Sequence, residues 1–87
     1  MLIEVIGMAC PRCESTVRVL EGTAKRLKID YEIKYIKDLK ELDARGIKRT
    51  PAVFINGEKI SEGGVPNKML AEGWLRAAMR RANPGGE

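Results

Sequence analysis

Two cysteines, Cys10 and Cys13, stand three positions apart in the stretch "GMACPRC", residues 7–13, and they are the only two in the 87-residue chain. A pair at this spacing has three chemical outlets. It can cycle between dithiol and disulfide, hold a soft metal ion between two thiolates, or sit as two inert thiols in a core. The chain has no histidine. That excludes a Cys–His nucleophile pair, and two cysteines alone cannot complete a closed four-ligand zinc site.

The neighbouring residues favour redox work. Pro11 suits the first position of a helix, where its missing N–H would have been unpaired in any case. Cys10 then falls at the helix mouth, among unpaired backbone N–H groups and the positive end of the helix dipole. Both favour the thiolate, which is the nucleophile. Arg12 adds positive charge of the same sense. Cys13 lies one helical step further on and joins the apolar stripe Cys13, Val17, Leu20, Ala24 and Leu27, whose spacing is that of one helix face. The expected division of labour is an exposed attacking sulfur at Cys10 and a sheltered resolving sulfur at Cys13.

The elements that must position this pair read as follows. Residues 2–6, "LIEVI", form a strand covered on both faces. Gly7 to Ala9 make a loop, with Met8 packing on the core. A long helix begins at Pro11, and Gly22 within it marks a bend or a close contact. Residues 31–36, "YEIKYI", alternate as a half-exposed edge strand. Residues 38–46 form a short helix with Leu39 and Leu42 inward and Gly46 as its stop. "AVFI" is a buried strand, Asn56-Gly57 a two-residue hairpin turn, and "EKIS" the returning edge strand. Gly63 to Pro66 form a loop. Asn67 caps a last helix over roughly 68–82, with Leu70, Trp74, Leu75, Ala78 and Met79 as its apolar face. The order β-α-β-α-β-β-α implies an α/β fold: one four-stranded mixed sheet flanked by helices. Residues 1–82 form the single domain, and 83–87 a flexible C-terminal tail.

A Cys-x-x-Cys between a first strand and a helix reads as a redox motif, and the wider pattern resembles the thioredoxin and glutaredoxin superfamily. The matching parts are "CPRC", the "TP" at Thr50-Pro51, "AVFINGE" and the glycine turn "GGV" at Gly63 and Gly64. Over residues 1–80 the chain looks most like the short archaeal and bacterial thioredoxin-like proteins, often called redox-active disulfide or small glutaredoxin-like proteins. The resemblance implies a thioredoxin-like fold and a cis bond before Pro51. It implies that Pro51 packs beside the cysteines and that Thr50 offers its backbone to an extended substrate. It also implies thiol–disulfide exchange through a mixed disulfide, with catalytic Cys10 and Cys13 and a site shaped by Pro11, Arg12, Thr50, Pro51, Gly63 and Gly64. The redox group would be the Cys10–Cys13 disulfide itself, with no further cofactor and no metal. The implied partners are a disulfide-containing protein substrate and an electron-donating reductase or small thiol. "GGVPN" lacks the acidic residue with which glutaredoxins hold glutathione, so glutathione use stays open.

A rival comes from another class. Gly7, Met8, Cys10 and Cys13 also resemble the Gly-Met-x-Cys-x-x-Cys loop of copper chaperones, and two thiolates suit Cu(I). That family's order, however, ends on a strand. Glu14 and Lys25 are assigned to the solvated face of the helix. The net charge of +4 comes from 16 basic and 12 acidic residues that are interleaved, which does not make a nucleic-acid surface. No apolar run reaches membrane-spanning length. The expectation is a cytoplasmic monomer without nucleic-acid or membrane partners.

Overall fold

The computed structural model describes residues 1–8 and 11–82. Cys10, the expected attacking sulfur, and the expected tail at 83–87 lie outside the described residues. The elements are β1 (Leu2–Ile6), α1 (Pro11–Arg26), β2 (Glu32–Ile36), α2 (Leu39–Ala44), β3 (Ala52–Ile55), β4 (Glu58–Glu62) and α3 (Lys68–Ala82). The sheet order is β2-β1-β3-β4. β1 runs parallel to β2 and antiparallel to β3, and β3 runs antiparallel to β4. The expected α/β architecture, a four-stranded mixed sheet with flanking helices, is the one observed.

The two-residue period of the strands divides the core into two layers. Ile3, Val5, Val53 and Ile55 face one way and pack with Leu20 and Ala24 of α1 and Ala71, Leu75 and Ala78 of α3. Ile6, Ala52 and Phe54 face the other way, with Ile47, Leu42 and Ile36. β1 and β3 are buried almost throughout, whereas β2 and β4 carry the exposed residues expected of edges. Asn56 and Gly57 both have positive φ, 53° and 85°, which is what their two-residue turn requires. The Asn56 side chain also accepts from the Leu2 N–H at 2.9 Å, tying the hairpin to β1.

Several side chains depart from their expected places. In α1 the buried stripe is Cys13, Thr16, Leu20, Thr23 and Ala24, while Val17 and Leu27 are only half-buried. Two threonines can line an apolar stripe because each hydroxyl donates to the carbonyl four residues back: Thr16 to Arg12 at 2.9 Å and Thr23 to Val19 at 2.7 Å. α1 runs unbroken through Gly22, and the close contact expected there is not made, since a Cβ would meet nothing within 4 Å. Leu39 is exposed rather than inward, and α2 buries no residue at all. With only six residues, α2 presents one turn and a half to the sheet, and that contact falls to Leu42. In α3 the face that reaches the core is Ala71, Leu75 and Ala78, with Trp74 at its border. Leu70 and Met79, expected inward, are about half exposed. α1 and α3 fill the core they share with Leu20, Ala24, Ala71, Leu75 and Ala78, which leaves these larger flanking side chains outside.

Candidate functional site

The site forms where the ends of β1, α1 and β3 converge, and glycine makes that convergence possible. Gly7 closes the β1 edge by donating to the Ile36 carbonyl at 3.0 Å. It is buried, and a methyl group there would overlap the Sγ of Cys13 and approach Cys13 Cβ at 3.2 Å and Thr50 Cβ at 3.6 Å. The Cys13 sulfur therefore lies on bare backbone, fully buried in the first turn of α1. The sheltered position expected for Cys13 is the one it occupies. Gly7 enters the sequence reading only through the rival copper-chaperone loop and not among the residues that shape the redox site. Its signal was a glycine directly after a buried strand and just before the cysteine pair.

Pro11 is the first residue of α1 and is exposed. Arg12, next in the turn, reaches across to the loop before β3, where its Nη2 donates to the Thr50 carbonyl at 3.1 Å. The Thr50–Pro51 peptide bond is cis, and the Pro51 side chain is fully buried. Gly63, with φ of 91°, donates its N–H to the Pro51 carbonyl at 2.8 Å, so the glycine turn after β4 is bonded to the proline loop. Gly64 is exposed, with open space where a Cβ would stand. The structure thus joins Arg12 to Thr50, Cys13 to the Gly7–Thr50 corner and Gly63 to Pro51. It gives Gly64 no such contact. Met8, expected to pack on the core, is 47% exposed on the bend after Gly7, where the chain has left the sheet.

Glu62, another residue absent from the sequence expectations, fixes the approach to Pro51. One of its carboxylate oxygens accepts from the backbone N–H groups of Lys48 and Arg49, at 2.6 and 2.9 Å. The other accepts from Lys59 Nζ at 2.8 Å. The Lys59 ammonium and then the two N–H groups hold the Glu62 carboxyl down to a pKa of about 2. A single acidic residue on an edge strand therefore holds the two residues that lead into Thr50-Pro51.

A sequence model of the family described as Thioredoxin domain matches residues 1–76. The thioredoxin of Methanocaldococcus jannaschii is 30% identical over 67 residues, which cover 77% of this chain and 77% of that protein. The thioredoxin of Methanothermobacter thermautotrophicus is 28% identical over 68 residues, covering 78% of this chain and 88% of that one. Among solved structures, thioredoxin 1 from the thermophilic eubacterium Thermosipho africanus superposes with a TM-score of 0.55 at 19% identity. That alignment covers 94% of this chain and 93% of that one, a likeness of fold. The chain belongs to the thioredoxin domain family, one of thiol–disulfide oxidoreductases. Among the described residues the last element is a helix, α3. Among the described residues, no helix is long and apolar enough to cross a membrane.

Proposed function

We propose that the protein reduces disulfides in polypeptide substrates, with Cys10 as nucleophile and Cys13 as resolving thiol. The carrying observation is the seat of Cys13: a fully buried sulfur in the first turn of α1, packed on Gly7 at the corner shared with Thr50. A thiol sheltered there is kept from outside disulfides, and in the sequence it follows Cys10 by three positions. Cys10 occupies that position in the sequence, where the open end of α1 favours a thiolate.

The Cys10 thiolate attacks one sulfur of a substrate disulfide. A mixed disulfide forms, and the first substrate sulfur leaves as thiolate and takes a proton. Cys13, as thiolate, then attacks Cys10 Sγ and expels the second substrate sulfur. The substrate has gained two electrons and two protons, and the protein holds a Cys10–Cys13 disulfide. A dithiol reductase or a small thiol returns it to the dithiol, so no further cofactor is needed. Pro51 walls the site beside the sulfurs, and the Thr50 backbone pairs with an extended substrate segment. Pro11 and Gly63 hold the two sides of that wall in place.

The test is trapping. With Cys13→Ser, incubation with a disulfide-linked peptide should accumulate a mixed disulfide through Cys10, seen as a mass increase of one peptide half. Cys10→Ser should give no adduct and no reduction. Equal trapping through either cysteine would reject the assignment of roles. A wild-type protein that shows no reversible two-electron transition in a buffered thiol series would reject the activity.

A further inference from the structure

The contact between Arg12 and the Thr50 carbonyl carries a consequence for substrate choice, and it rests on the reading just given. Thr50 O is the acceptor that an extended substrate would approach, and Arg12 Nη2 already lies 3.1 Å from it. A carbonyl oxygen has two lone pairs, and a guanidinium has five N–H donors in a planar fork. One bond to Thr50 thus leaves most of the fork unspent. The Arg12 backbone is held as well, since its carbonyl accepts from Thr16 Oγ1 at 2.9 Å. Arg12 is anchored at both ends, and its cation stands at the lip of the site.

No carboxylate among the described residues pairs with that cation. The ion pairs among the described residues involve other side chains. Glu14 is two positions away on α1, a spacing at which helical side chains do not face each other. Glu62, the acid bonded to the loop that leads to Pro51, spends its oxygens on Lys59 and the Lys48 and Arg49 N–H groups. Lys48 and Arg49 are themselves exposed and enter none of those pairs, so the loop leading to Thr50 adds further positive charge.

We propose that Arg12 is a specificity-determining residue that selects polypeptide disulfides with an acidic side chain next to the target cysteine. As the substrate strand docks on Thr50, the guanidinium shares or yields the carbonyl and turns its unused donors to the incoming carboxylate. Arginine suits this because its fork can accept a carboxylate through two parallel bonds. A substrate with lysine or arginine at that place meets an unscreened like charge instead.

The experiment uses two otherwise identical short peptides, each closed by an intramolecular disulfide, with Glu or Lys adjacent to one cysteine. Reduced protein is mixed with each in single turnover, and the ratio of second-order rate constants is read. Both peptides meet the same Cys10, so any effect of Arg12 on the thiolate cancels in that ratio. The wild type should favour the Glu peptide by about two- to fivefold at low salt, as an exposed charge pair would allow. The ratio should shrink toward one in 0.5 M salt, where the screening length is only about 4 Å. Arg12→Met should lower the ratio at low salt to what Lys48 and Arg49 alone sustain, Arg12→Lys should keep most of the preference for the Glu peptide, and Arg12→Glu should lower the ratio further than Arg12→Met. A wild-type ratio of one, or a preference unchanged in Arg12→Met and Arg12→Glu, overturns the proposal. If the wild type reduces neither peptide while dithiothreitol reduces both, the oxidoreductase reading itself fails and takes this inference with it.

Discussion

At the scale of single residues, two glycines in neighbouring elements make opposite predictions. Gly7 has no room for a side chain, because a Cβ would overlap Cys13 Sγ. Gly7→Ala must therefore push the sulfur or the start of α1 aside. The expected cost is about 1–3 kcal/mol, as for overpacking elsewhere, and the displaced Cys13 should label faster with a thiol reagent in the reduced protein. Gly22 is the reverse case. It lies exposed in the middle of α1 with nothing within 4 Å of a would-be Cβ. Gly22→Ala should raise stability by up to about 1 kcal/mol, the helix propensity difference. Urea unfolding of the two variants against wild type checks both signs. The sequence could not have separated these glycines by type. What separates them is the tertiary neighbour, a sulfur in one case and solvent in the other.

At the scale of elements, strand β4 and its neighbours set the proline loop, and Glu62 gives that link a pH signature. Its carboxyl is held at about 2, well below the ordinary 4.5, by Lys59 and the Lys48 and Arg49 N–H groups. The stabilisation is then fully present above about pH 4.5 and is lost as the pH falls through the folded-state value near 2. Glu62→Gln should lower stability at neutral pH and flatten its decline between pH 4.5 and 2, measured by urea midpoints across that range. An unchanged acid slope would show that this carboxylate does not hold the loop. Which parts of such links were legible follows from how local their causes are. The Asn56-Gly57 turn and Pro11 at the start of α1 are fixed by neighbours in sequence, and both appear where expected. Leu39, Leu70 and Met79 follow helical spacing but end exposed, because a short α2 and the core that α1 and α3 share decide which of several apolar residues reaches the core. Glu62 reads as one more acid on an edge strand until the loop that it holds is folded against it. The cysteine pair was legible at once, and the buried seat of Cys13 followed from its place on the helical stripe. The Arg12–Thr50 bond spans 38 positions, and no local pattern announces it.

For the whole molecule, the question is what joins the second face of the sheet to the first. α1 and α3 share a continuous apolar core with β1 and β3, but α2 buries no side chain. Its attachment runs through Leu42 and through a charge placed in the central strand. Glu4 is 9% exposed, and both of its oxygens accept from Arg45, at 3.1 and 3.0 Å. Arg45 also donates to Glu41 of α2 at 2.9 Å and lies over the Phe54 ring, 4.8 Å from its centroid. The hydrogen bonds from Arg45 lower the Glu4 carboxyl below its ordinary range and outweigh the upward push of burial. Arg45→Met removes the guanidinium that reaches both oxygens and leaves a carboxylate nearly buried, so it should cost about 2–3 kcal/mol. Glu4→Leu strands less, because Arg45 keeps Glu41 and some solvent. The double variant should recover most of the loss, since replacing a shielded pair by apolar side chains is often close to neutral. A double-mutant cycle from urea unfolding reads that coupling directly. Additive losses would mean that Glu4 and Arg45 act separately. Strong coupling, with faster hydrogen exchange confined to α2 in Arg45→Met, is the result expected if one ion pair fastens this helix to the sheet that carries the cysteine corner.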